Sequence, residues 1–195
     1  MDKNKIAEFF NSCASSWDSN QETDEKIISI IFEKGTITKG ASVLDVGSGT
    51  GILFPYYKKA GVSSLIGIDI SQNMVELAKS KFPDTEIICG DAETYRFNCK
   101  FDAVMIYNAF PHFPCPDLLF ENLSSALNEG GRLSVSHGAG REEIQKCHEG
   151  NAKPFSASLP EAKVLAEFME KYLTVDTVIS TDKMYMVSGV KNKTE

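Results

Sequence analysis

Between Val43 and Gly51 an apolar run ends in an acid, and glycine then alternates with small polar residues: Val43-Leu44-Asp45-Val46-Gly47-Ser48-Gly49-Thr50-Gly51. No other stretch constrains the fold as tightly. It predicts a buried strand that enters a tight turn and leads into a helix. Gly47, Gly49 and Gly51 remove Cβ atoms where the backbone turns sharply and comes close to a ligand. The helix start beyond them offers unpaired N–H groups and a positive dipole end. Such a turn suits a nucleotide-like cofactor. A dinucleotide fingerprint, G-x-G-x-x-G/A, needs Gly or Ala at the position held by Ile52, so the spacing disfavours a nicotinamide cofactor.

Further stations follow in order. Leu65 to Ser71 reads as a second buried strand ending in Asp69, with Ile70 after it. A carboxylate there can accept from both hydroxyls of a ribose. Glu86 to Glu93 reads as a third strand closing in Gly90-Asp91-Ala92, and Phe101 to Asn108 as a fourth. Leu127-Asn128-Glu129-Gly130-Gly131-Arg132-Leu133 forms a turn before a fifth.

This series, with G-x-G-x-G two residues after Asp45, resembles the class I S-adenosylmethionine-dependent methyltransferases. The likeness is to the branch that includes ubiquinone- and menaquinone-type metabolite methyltransferases. It implies a Rossmann-like, doubly wound α/β sheet in three α/β/α layers, mostly parallel with an antiparallel last strand. It also implies S-adenosyl-L-methionine as cofactor. Backbone at Gly47, Ser48, Gly49 and Gly51 would contact it, Asp69 and Ile70 the ribose, and Asp91 with Ala92 the adenine. Met74 would border the same site, Asp45 would lie near the amino end and Asn108 near the sulfonium.

Bulk properties agree with a metabolic enzyme. The 195 residues are enough for one domain with a proper core. A net charge of −7 argues against a nucleic-acid partner and favours a small-molecule substrate. No apolar run is long enough to span a bilayer, and the first residues lack the apolar segment of a secretory signal. Five cysteines, Cys13, Cys89, Cys99, Cys115 and Cys147, form no C-x-x-C pair and read as reduced thiols in cytoplasm.

The chain divides into an N-terminal helical lid (1–35), a cofactor-binding core (40–137), a substrate-side insertion (138–157) and a closing helix with strands (158–190). Ile27, Ile28, Ile30 and Ile31 have helical spacing up to Gly35, and Trp17 reads either as lid or as core packing. Ser71 suits the cap of a helix carrying Met74, Leu77, Ala78 and Phe82. Pro116-Asp117 opens another, with Leu119, Leu123, Ala126 and Leu127 inward until Gly130-Gly131. Leu159 to Tyr172 predicts a helix, Val175–Ile179 and Met184–Val190 two strands. Alternating β and α units require a parallel sheet with right-handed crossovers, which binds ligands at the carboxyl ends of its strands.

Methyl transfer from a sulfonium needs alignment above all, and a base only when the acceptor arrives protonated. His112 and His137 follow the fourth and fifth strands and are candidate bases. His148, Arg141 and Trp17 are candidate substrate contacts. The same histidines with Cys147 have metal-ligand chemistry, but lack the spacing of a metal motif. Structural packing remains open for His112, and a solvated charge for Arg141. Glu93 reads as a helix-start residue. Two rival readings are a non-catalytic binder of the same cofactor and, against Ile52, an NAD-dependent oxidoreductase.

Overall fold

In the computed structural model, residues 1–20, 23–150 and 152–192 are described. The centre is β1 (Ser42–Val46), flanked in parallel by β2 (Ser64–Asp69) and β4 (Phe101–Tyr107). Outward lie β3 (Glu86–Cys89) beside β2 and β5 (Leu127–His137) beside β4, both parallel. β7 (Tyr185–Val190) then pairs antiparallel with β5 and with the edge strand β6 (Thr174–Ser180). The order is β3-β2-β1-β4-β5-β7-β6, and the sheet is mostly parallel with its last strand in the chain antiparallel, as the resemblance implied. Strands with helices on both faces are apolar throughout, as Val43-Leu44 and Ala103–Ile106 are here.

The sheet order reverses direction at β1 and β4, so their carboxyl ends part into a crevice. Helices cover both faces. One core cluster joins α5 (Pro116–Ala126) and α7 (Ala162–Met169) through Leu119, Phe120, Leu123, Leu165 and Met169. The opposite cluster joins α2 (Glu25–Lys34), α3 (Phe54–Ala60) and α4 (Gln72–Lys81) through Ile28, Ile31, Phe54, Tyr57 and Val75. Caps stand where their residue types favour them. Asp24 accepts from the Lys26 and Ile27 amides, and Ser71 from the Met74 amide.

Three segments differ from the sequence expectation. Leu127 leaves the helix and opens β5, paired with Phe101, and Gly130 at φ +75 makes a bulge where a helix end was expected. α7 is shorter than 159–172, because Pro160 biases Leu159 away from helical backbone. The stretch 1–35 is two units. α1 (Lys3–Cys13) and the 3₁₀ turn Ala14–Asn20 carry cavity-lining residues, whereas α2 belongs to the core, with Phe32 stacked on Tyr57 at 4.8 Å.

Candidate active site

The glycine turn is stitched to β2. The Gly47 and Ser48 amides both donate to the Ile68 carbonyl (2.8 and 3.1 Å), and the Gly51 amide donates to the Ser48 carbonyl (2.9 Å). The Gly49 amide donates to Asp69 Oδ2 at 2.8 Å. These four N–H groups are therefore spent within the protein, and the turn meets a ligand by close approach rather than by free donors. Gly47 has φ +68, and a Cβ there would lie 2.6 Å from the Ala109 methyl. Gly51 serves the core instead: at φ +85 its Cβ would strike Phe54 and Phe82 at 2.8 and 2.9 Å, and it does not line the cavity.

Three acids end three strands, with different surroundings. Asp69 accepts the Gly49 amide on one oxygen and the Ser71 amide (2.9 Å) on the other, leaving each a lone pair for a ribose hydroxyl. Asp45 is buried and outside the cavity lining; burial, and then the charge of Asp69, push its carboxyl up to about 8. Burial raises Asp69 as well, opposed by the amides it accepts. Asp91 accepts from the Glu93 amide, the Thr94 hydroxyl and the Lys3 ammonium, the last at 2.5 Å.

Glu93 is no helix-start residue. Its side chain is fully buried, Oε1 accepts the Cys115 amide at 2.8 Å, and Oε2 pairs with Lys3 at 2.5 Å. Lys3 thereby ties α1 to the turn after β3. Sequence reasoning missed this pair, whose members stand 90 positions apart with no local pattern to announce them. Asn11 adds a second tie, accepting from the Ser71 hydroxyl (2.7 Å) and the Asn73 amide (3.0 Å).

A cavity of about 320 Å³ opens at the carboxyl ends of the strands. Gly47, Ser48 and Gly49 line it from the turn after β1, and Asp69, Ile70 and Met74 from β2 and α4. Asp91 and Ala92 line it after β3, and Asn108 after β4. Asn108 holds φ +52, a conformation unusual outside glycine, while its Oδ1 accepts the Gly138 amide at 3.0 Å. The Ser48 hydroxyl is buried against Gly67, without a partner among the described residues. With Asp69 and Asp91 on one wall, the residues fit a ribosyl-adenine cofactor.

His112, His137 and His148 line the other end, with Trp17 and Phe10 across from them. His112 Nδ1 lies 2.9 Å from the Phe155 carbonyl, which can only accept, so Nδ1 carries the proton and Nε2 keeps its lone pair. His137 is 1% exposed, and its Nε2 has no partner among the described residues. His148, at the end of α6 (Arg141–His148), packs edge-on to His112 with centroids 5.1 Å apart and a buried, unpartnered Nδ1. Burial pushes His112 down to about 4 and His137 to about 3, and lowers His148 as well. All three are neutral near pH 7. Among the described residues, no three His, Cys, Asp or Glu side chains converge as a metal site would require.

Trp17 meets Phe10 edge to face at 5.6 Å, at the cavity wall. Arg141 is placed elsewhere: its Nε donates to the Leu159 carbonyl at 2.8 Å, and it borders a separate surface groove with Glu161 and Thr181. It opens α6, and from the first turn its side chain reaches across to the segment before α7. Lys3 is a wall residue that the sequence did not single out.

This fold and this row of strand-end acids resemble those of the class I S-adenosylmethionine-dependent methyltransferases. Residues 43–131 match a family model described as a methyltransferase domain. Over 70% of its length the chain is 31% identical to malonyl-[acyl-carrier protein] O-methyltransferase 1 of Ilyobacter polytropus, of which it covers 53%. It is 27% identical over 70% of its length to the ubiquinone biosynthesis O-methyltransferase of Coxiella burnetii, covering 62% of that protein. Magnesium protoporphyrin IX methyltransferase from Synechocystis, crystallised with S-adenosylhomocysteine, superposes with a TM-score of 0.72 at 19% identity, covering 98% of this chain and all of that one. No helix among the described residues is long and apolar enough to cross a membrane.

Proposed function

We propose that this chain methylates a small metabolite inside the cavity, the methyl group passing in line from S-adenosylmethionine to an acceptor held beside His112 and His137. One observation carries the reading. A single cavity runs from the Gly47–Gly49 turn, Asp69 and Asp91 to three neutral imidazoles. The cofactor, when bound, supplies an electrophilic methyl group on a good leaving group.

Asp69 accepts from the ribose hydroxyls, with Ile70 beside it. Asp91 and Ala92 meet the adenine, and Met74 borders the same pocket. The Ser48 hydroxyl and the turn meet the methionine portion, with Asp45 toward its amino group and Asn108 toward the sulfonium. His112 Nε2, its tautomer set by the Phe155 carbonyl, accepts the acceptor's proton. His137 and His148 orient the acceptor. Residues 1–20 act as the lid, in which Trp17 and Phe10 exclude water and hold the acceptor in line, an orientation effect that reaches effective molarities of about 10⁵ M. The segment 138–157 forms the acceptor's side of the cavity. Five free cysteines support a reducing cytoplasm as the setting.

Calorimetric titration with S-adenosylmethionine, S-adenosylhomocysteine and NAD tests the cofactor. The first two bind, NAD does not, and Asp69→Ala abolishes binding. Folded protein that binds neither adenosyl ligand refutes the reading. Turnover of an acceptor separates an enzyme from a cofactor-binding module.

A further inference from the structure

The acceptor end of the cavity has a distinctive chemistry. Phe10, Trp17, Phe113 and Ile144 give it apolar walls, and three imidazoles, with Tyr107 and Cys147, give it uncharged polar groups. Among the described lining residues there is no arginine, and the one lysine, Lys3, is held by Asp91 and Glu93 near the end of β3. The acidic group nearest this end is Glu143, exposed on α6. The roof is tight: Phe9 stacks on Phe155 at 4.6 Å, and Phe10 meets His112 edge-on at 4.8 Å.

Resting on the cofactor reading above, we propose that the methyl acceptor is a compact, uncharged thiol, seated against Phe10 and Trp17 with its S–H directed at the lone pair of His112 Nε2. Size follows from the tight roof, where Phe9 stacks on Phe155 and Phe10 closes over His112. An anionic acceptor would shed its water with no cation to meet it, and Glu143 would repel it. A carboxylate is therefore the wrong partner for this end, although carboxylates and phosphates are ordinary metabolite groups.

An alcohol fails for a different reason. A hydroxyl can hydrogen-bond to His112 Nε2, but its proton is held far more tightly than a thiol's, and a neutral, buried imidazole is a weak base for it. A thiol near its ordinary pKa of about 8.5 gives up its proton more readily and is the stronger nucleophile. Sulfur also behaves as a small hydrophobe with a weak S–H donor and makes favourable contacts at ring edges. The unpartnered Nε2 of His137 and Nδ1 of His148 give the proton further places to go.

The step balances. The acceptor sulfur forms a new bond to the methyl carbon as that carbon's bond to the sulfonium sulfur breaks. The electron pair of the broken bond stays on the cofactor sulfur, which becomes neutral. The thiol proton moves to His112 Nε2 and then to solvent, so the single positive charge passes from the sulfonium to the imidazole ring.

Protein saturated with S-adenosylhomocysteine is titrated with benzyl mercaptan, benzyl alcohol, benzoate and glutathione. Benzyl mercaptan binds about tenfold tighter than the alcohol, a gap of about 1.4 kcal/mol, while benzoate and the large, charged glutathione do not bind. His112→Phe keeps the ring contact with Phe10 but removes Nε2; it still binds S-adenosylhomocysteine and loses the mercaptan preference. His112→Gln serves the same purpose if the Phe variant misfolds. With S-adenosylmethionine, mass spectrometry detects benzyl methyl sulfide. Benzoate binding as tightly as the mercaptan overturns the proposal, as does an S-adenosylhomocysteine complex that binds no mercaptan. Protein that binds no S-adenosylhomocysteine refutes the cofactor reading instead, and this inference falls with it.

Discussion

Cofactor binding should expel a proton from Asp45. Its carboxyl is pushed up to about 8 by burial first and by the neighbouring Asp69 second, so it is protonated near pH 7. An ammonium group placed beside it favours the charged form and draws the pKa down. With a free-state value near 8, about 0.9 proton leaves on binding near pH 7. Affinity then rises with pH, close to tenfold per unit (about 1.4 kcal/mol) below about pH 7 and less steeply toward about 8. Above that, the free cofactor's own amino group loses its proton near about 8, and the gain ends. Calorimetry in phosphate and in Tris, whose ionisation heats differ, reads the proton count from the change in observed enthalpy. Asp45→Asn removes the linkage, leaving an affinity that is flat between about pH 6 and 7. Wild-type binding without proton release, or release that persists in the Asn variant, refutes the assignment of Asp45 to the amino end.

Three further outcomes are expected. His112 and His137 have lowered pKa values, so the stability they confer is complete above about 6.5 and is lost as pH falls toward 4, by at most about 1.4 kcal/mol per unit for each group. Thermal unfolding between pH 7 and 4 measures this, and a slope unchanged in His137→Gln would contradict it. Gly51→Ala, strained at φ +85 and crowding Phe54 and Phe82, lowers stability by about 1–3 kcal/mol in urea unfolding, whereas a wild-type midpoint would mean the turn yields freely. Lys3→Met leaves the buried Glu93 carboxylate without its cation and loosens α1, and hydrogen exchange should quicken in residues 3–13 but not in β1 or β4. Uniform exchange across both would show that Lys3 holds nothing in particular.

The strand-end half of the candidate site was legible because its signals are local. An apolar run, an acid and closely spaced glycines are read within ten residues, and each strand carries its own copy of the cue. The acceptor half was only partly legible. His112 and His137 stand at strand ends, and strand ends can be counted. Lys3 and Glu93 are joined by the path of the chain, not by spacing, so a buried carboxylate passed for a helix start. Gly51 looked like Gly47 in sequence and differs only in what its missing Cβ faces, Phe54 and Phe82 rather than Ala109. Arg141 shares a helix with His148, yet it reaches a carbonyl outside the cavity, because a long side chain in a first turn can choose among several acceptors.

The helix that roofs the cavity has a consequence for how ligands leave. α1 buries one apolar side chain, Ile6, and is otherwise fastened by Lys3, by Asn11 and by ring contacts at Phe9 and Phe10. Asp18, in the turn that follows, is held by the Thr50 hydroxyl at 2.5 Å and by Lys81 at 2.9 Å. Partly exposed ion pairs weaken as ionic strength rises, while the sheet beneath, which is apolar, hardly responds. A ligand held under α1 should therefore leave faster as salt rises, while the melting temperature of the protein hardly changes.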